Sequence, residues 1–256
     1  MTTRIAPHWP VRLACLLACA CVAVVLGQAT PPVRRSIADL AGRAVIVLVG
    51  VGELRVQAWT QPGLDVEILP EGRAAREAEA LLMTVDDASE AVTVRAVQPH
   101  DGKDPSLRAR VTLRVPVTVA LQRVEVFEGR IEVEGVRGLL QAKIDRGPIT
   151  ARRIAGTVRL ETGSGDLTVS EAELVSPGLL RLRTFNGHIT LGLVGRPTDA
   201  RVLALTLNGT IRSDLPLEER AGFGPRFGEA VIGRGEPLIS LDAVRGDISI
   251  TAPGPR

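Results

Sequence analysis

The chain has 256 residues, with 31 basic and 29 acidic side chains, 26 glycines, four phenylalanines, two tryptophans and no tyrosine. Its length allows one or two domains. So even a charge balance argues against nucleic acid or an anionic membrane surface as the main partner, since both demand a basic footprint.

The first 29 residues have the character of a leader. Arg4, His8 and Arg12 make a basic start, residues 13–26 are uncharged and apolar, and Gly27-Gln28-Ala29 is a small-residue cleavage site. This predicts a secretory signal peptide over residues 1–29, its apolar run being short for a membrane span. An uncleaved anchor is the alternative. All three cysteines, Cys15, Cys19 and Cys21, lie inside this segment, and Leu16-Leu17-Ala18-Cys19 is a poor lipobox. Cleavage near Ala29 leaves no cysteine, hence no disulfide and no thiolate metal site, although an oxidising compartment would permit bridges. It also removes Arg4 and Arg12 and no acid, so the 31 basic side chains become 29 against 29 acidic ones.

A linker over 30–43 leads into a strand-rich part over 44–122. Residues 45–51 are an apolar run, Leu54 to Trp59 alternate, and Val66-Glu67-Ile68 is short. Residues 72–83, rich in Ala, Glu, Arg and Leu, predict the single short helix. Strands follow over 92–97 and 107–115, separated by a polar loop over 99–105.

From 123 to 252 a glycine beat takes over: Gly129, Gly138, Gly147, Gly156 and Gly165 recur every nine residues, each followed by a short alternating strand. Alternate glycines mark one turn of a coil. Gly129, Gly147 and Gly165 are 18 apart, Gly165, Gly187 and Gly209 are 22 apart, and Gly246 follows after 37, one turn plus a 15-residue insertion. Fixed-period repeats whose strands cannot bury a face alone stack into a continuous core. The predicted fold class is therefore all-β, a parallel β-solenoid-like repeat coil with a strand-rich N-terminal region. Thr162, Thr184 and Thr206 stand three residues before their glycines. The inward set is Leu140, Ala142, Ile144, Ile149, Val158, Leu160, Leu167, Val169, Leu180, Leu182, Ile189 and Leu191. One strand breaks the pattern, since Leu203, Leu205 and Leu207 point outward. The insertion over 216–237, with Phe223 and Phe227, is the natural cover for that face. Phe223, Phe227, Leu203 and Leu205 are accordingly the candidate partner surface.

Residues Val111-Thr112-Leu113-Arg114-Val115-Pro116, Val124 to Val133, Gly135-Val136-Arg137-Gly138, Ile232-Gly233-Arg234-Gly235 and Arg245-Gly246-Asp247-Ile248-Ser249-Ile250 together resemble the bacterial putative-adhesin family, a domain of unknown function built from β-strand repeats. The resemblance spans about 45–252, implies the fold, and supplies no catalytic residues.

No motif in the residues names a chemistry. His100 and His188 are far apart in sequence, and Gly163-Ser164-Gly165-Asp166 is only a fragment of a calcium-roll repeat. Gly222-Phe223-Gly224 and Gly233-Arg234-Gly235 lack the dinucleotide fingerprint. The expectation is no catalytic, cofactor or metal site. The strongest enzyme alternative uses the corner carboxylates Asp145, Glu161, Asp166, Asp242 and Asp247, because glycoside hydrolysis needs two carboxyl groups at a set separation. The expected protein is a non-enzymatic, exported envelope module whose partner is a glycan or an envelope protein. A membrane-anchored sensor follows if the leader is retained.

Overall fold

The computed structural model describes residues 30–77, 79–99, 103–220 and 224–254; the leader over 1–29, His100 and Phe223 lie outside them. Six strands precede the repeats: β1 (Val33–Ile37), β2 (Ala44–Trp59), β3 (Leu64–Gly72), β4 (Leu82–Asp87), β5 (Ala91–Val97) and β6 (Leu107–Pro116). The repeats supply β7 (Ala120–Glu134), β8 (Arg137–Arg146), β9 (Ile149–Arg152), β10 (Ala155–Ser164), β11 (Leu167–Ala172), β12 (Leu179–Asn186), β13 (Ile189–Leu193), β14 (Ala200–Asn208) and β15 (Ile211–Ser213). The insertion contains β16 (Glu218–Arg220) and β17 (Arg226–Ile232), and the chain closes with β18 (Leu238–Arg245) and β19 (Ile248–Thr251). The fold is all-β, and the nineteen strands form one mixed sheet.

No α-helix occurs among the described residues, so the helix expected over 72–83 is corrected. Only Arg73–Ala75 make a 3-10 turn. Pairing claims both ends of that run: β3 continues to Gly72 opposite Leu107, and β4 begins at Leu82 opposite Val97. Too few residues remain between them for a stable helix.

The sheet divides at the glycine corners into two ladders. The first runs β4, β5, β2, β7, β8, β10, β12, β18, β14, β17, β16; the second runs β1, β3, β6, β2, β7, β9, β11, β13, β19, β15. The long strands β2 and β7 serve both. Pairing is parallel through the middle and antiparallel at β1–β3, β3–β6, β4–β5, β14–β17 and β16–β17. The expected purely parallel coil is corrected to a mixed sheet, because returning hairpins finish its ends.

The inward register read from the sequence holds, since all twelve of the inward aliphatic residues named above are buried. The corners explain the beat. Gly165 and Gly187 have φ of +153° and +150°, and a Cβ on either would lie 2.1 and 1.9 Å from the carbonyl oxygen of the glycine one turn below. Only a residue without a side chain permits that approach. The buried threonines complete the corner. Thr162, Thr184 and Thr206 Oγ1 donate to the carbonyls of Gly147, Gly165 and Gly246 at 3.0, 3.1 and 2.8 Å.

That last contact exposes a third correction. The turns do not stack in chain order. The Gly246 turn lies between those of Gly187 and Gly209, with β18 parallel to β12 on one side and to β14 on the other. The outward residues give the reason. Ser240 and Asp242 of β18 stand beside Arg181 and Arg183 of β12, where Leu203 and Leu205 of β14 would have been a poor match. The insertion is long enough to carry the chain past β14 and back into the gap. Its described part pairs with β14 edge to edge, instead of lying over the leucines as expected.

Gly165→Ala should destabilise the protein by on the order of 3 kcal/mol in chemical denaturation, while Gly254→Ala, where a Cβ meets open space, should be neutral. Thr184→Val leaves the Gly165 carbonyl without its donor and should cost about 1–3 kcal/mol, with Thr184→Ser recovering most of it. Equal stability of the valine and serine variants would show that the hydroxyl contributes nothing.

Candidate functional site

The outward face of the first ladder carries an open hollow. Two cross-strand rows build it. Gln141, Arg159 and Arg181 lie opposite one another on β8, β10 and β12, with Arg123 of β7 at the head of the row. Beside them run Glu125, Lys143, Glu161, Arg183 and Asp242, one from each successive strand. These rows arise because alternate residues of a strand share a face and neighbouring strands lie about 4.8 Å apart. They line an open groove of about 280 Å³, whose walls hold five cationic side chains (Arg123, Lys143, Arg159, Arg181, Arg183) and two anionic ones (Glu125, Glu161). A second hollow of about 590 Å³ shares Arg123, Glu125 and Lys143 with the first and ends at Phe127 and Lys103. The Lys103 ammonium sits 4.0 Å from the Phe127 ring centre and the Arg146 guanidinium carbon 4.7 Å from it, both in cation–π range.

The two rows differ electrostatically. The second alternates in sign, and Lys143 approaches Glu161 at 4.0 Å. The first contains no carboxylate. Arg123 turns to Glu125 on its own strand with two hydrogen bonds of 2.8 and 2.9 Å, and this charged pairing pushes the guanidinium above its ordinary range. Arg181 reaches Asp242 only at 3.8 Å. Arg159 and Arg183 have no ion-pair partner among the described residues.

The residue after each corner glycine forms a different column. Asp166 Oδ1 accepts the His188 backbone N–H at 2.8 Å, and His188 Nδ1 accepts that of Asp247 at 3.0 Å. Asp247 Oδ1 then accepts the Thr210 backbone N–H at 2.8 Å and the Thr210 hydroxyl at 2.9 Å. The Thr210 backbone N–H and then its hydroxyl hold the Asp247 carboxyl below the ordinary carboxylate range, with His188 and Arg212 adding to the effect. A group held ionised in this way is the opposite of the general acid that glycoside hydrolysis needs. Both corner aspartates thus cap the backbone of the next turn. No three His, Cys, Asp or Glu side chains converge for a metal among the described residues.

Of the candidate partner surface, Phe223 lies outside the described residues. Phe227 and Leu205 stand opposite each other across β17 and β14, and Leu203 stands opposite Glu229. Leu203, Leu205 and Phe227 are half-buried and continue the two rows past Ser240 and Asp242. The arginines that line the groove were legible only as a solvated face. A signal existed, however: Arg123, Gln141 and Arg159 are 18 apart, and Arg181 follows after 22, the same steps as the glycines.

No family model matches the chain, and no curated protein matches it. Among solved structures it is similar to a putative cell adhesion protein from Clostridium sporogenes, at 10% identity and a TM-score of 0.49, covering 87% of this chain and 100% of that one. It is also similar to a putative adhesin from Bacteroides fragilis, at 13% identity and a TM-score of 0.35, over 88% and 98% of the two chains. A putative lipid binding protein from Parabacteroides distasonis shares 12% identity at a TM-score of 0.28, over 86% and 96%. No helix among the described residues is long and apolar enough to cross a membrane.

Because the Asp247 carboxyl is held low in the folded state, its contribution is fully present above the ordinary value of 3.8 and is lost as pH falls below that through the folded value. Asp247→Ala should therefore lower the denaturation midpoint at neutral pH, and the gap to wild type should close in acid. A gap that stayed constant down to strongly acid pH would remove the carboxylate from the corner's stability.

Proposed function

We propose that this chain is a non-enzymatic binding module of the cell envelope, of the putative-adhesin kind, which engages its partner through side chains on rigid strands. The observation that carries this reading is the groove on the first ladder, where four strands, β7, β8, β10 and β12, each contribute two outward side chains at the spacing of the sheet. Sites built on paired strands hold their geometry without a loop having to order on binding. The two parallel ladders, stepping by the 18- and 22-residue periods, support treating residues 123–252 as a solenoid-like coil, with 44–122 as its strand-rich beginning and 216–237 as an insertion. Residues 1–29 act as an export signal in this reading and 30–43 as a linker. The partner is a glycan or another envelope protein, and Leu203, Leu205 and Phe227 extend the contact surface at the C-terminal end of the groove.

The experiment is a glycan-array and envelope-extract binding screen with the exported protein, whose N-terminus should begin near Thr30. Leu205→Ala combined with Phe227→Ala should weaken capture about tenfold, as expected for apolar anchors at an interface. Binding undiminished by that pair would remove the leucine edge from the contact surface. A hydrolytic activity lost in Asp166→Asn would replace the module by the carbohydrate-active enzyme.

A further inference from the structure

The unbalanced row of guanidinium groups narrows the partner's chemistry, on the premise that the groove is the binding surface. Like charges placed directly opposite on adjacent strands destabilise a sheet. Arg159 and Arg181 are placed so, and their own row offers no carboxylate; Arg181 has only Asp242 of the neighbouring row, at 3.8 Å, and Arg159 has no ion-pair partner among the described residues. In the one row beside it the signs alternate from strand to strand, Glu125, Lys143, Glu161, Arg183, Asp242. The fold therefore holds an excess of positive charge in the groove, five cationic side chains against two anionic ones, with Arg159 and Arg181 side by side at its centre.

From this juxtaposition we propose that the groove binds an extended acidic polysaccharide, with Arg159 and Arg181 as the principal anion contacts and Arg123, Lys143 and Arg183 flanking them. Three features select this ligand class. The planar guanidinium fork takes carboxylate or phosphate oxygens two at a time, which a neutral sugar cannot exploit. Successive contacts lie about one strand spacing, 4.8 Å, apart along a line, the disposition of charges on a linear chain. The groove is also hollow and continues into the second hollow toward Phe127, so an extended chain can lie in it where the flat surface of a bilayer cannot reach. Phe185, 53% exposed, stands two residues beyond Arg183 on the same face of β12 and offers a ring at the rim. The chain's formal charge of only +2 is far from the strongly basic balance of a nucleic-acid binder.

The test uses the full chain and oligogalacturonate, with its methyl-esterified form as the neutral control and phosphatidylglycerol vesicles as the membrane control, followed by calorimetry at low and high salt. The acidic oligomer should bind, weaken with salt, and bind at least about tenfold less well to the Arg159→Gln, Arg181→Gln double variant. Arg212→Gln on the second ladder should bind as wild type does. The double variant should melt no lower than wild type, because relieving the Arg159–Arg181 repulsion offsets the loss of the long, exposed Arg181–Asp242 contact; this separates lost contacts from lost folding. Equal binding of the esterified oligomer, full binding by the double variant, or binding to the vesicles alone would each overturn the proposal. Capture of a neutral glycan or an envelope protein in the broader screen, with no binding of the acidic oligomer, would overturn this assignment and leave the binding-module reading standing.

Discussion

The structure depends on how closely two backbones approach at the glycine corner. In each turn the carbonyl oxygen of one glycine occupies the space where the next glycine would carry its Cβ. Nothing bulkier than hydrogen fits, so the position repeats as glycine wherever a turn is stacked. The close approach is also what allows a buried threonine three residues earlier to reach that carbonyl. Because the corner is the same in every turn, the strands on either side enter both ladders in register. The aliphatic residues then line up without further instruction.

A stack built this way has two ends, and exposed strand edges invite pairing with other chains. Both ends of the first ladder, and the N-terminal end of the second, are finished by antiparallel strands, while the remaining edge strand β15 is only three residues long. At each end a later strand slips between two earlier ones: β6 between β2 and β3, and β18 between β12 and β14. The chain thereby ties its terminal segments into the stack, and β14 reaches the rest of the first ladder only through β18. The C-terminal turn is a structural wedge.

The regular outer face then becomes a surface on which charge is arranged by row. Where signs alternate, as along Glu125, Lys143, Glu161, Arg183 and Asp242, neighbouring strands are matched electrostatically. Where they do not, as along Arg159 and Arg181, the same geometry sets like charges side by side at fixed spacing. A scaffold that holds side chains so rigidly can maintain a mismatch that a mobile loop would relax. The groove is therefore informative because the rest of the face is balanced.

Much of the fold was legible in the sequence, because its determinants are local and repeated. The excluded Cβ at Gly165 and Gly187, the threonine three residues before, and the inward alternation from Leu140 to Leu191 each depend on a residue and its equivalent one turn away. The period therefore reveals them. The helix over 72–83 was misjudged, because local propensity yielded to β4 pairing with β5. The order of the last turns and the antiparallel ends were hidden for a related reason. Which strand pairs with which depends on the edges left free by the rest of the chain, and β14 and β18 both alternate inward and outward residues in the same register. Their outward residues differ most in chemistry, Ser240 and Asp242 against Leu203 and Leu205, and that difference acquires an energy beside Arg181 and Arg183. The sequence by itself determined the repeat, its corners and its dry interior. The tertiary structure decided the stacking order and, with it, which charges on the outer face are matched and which are left open.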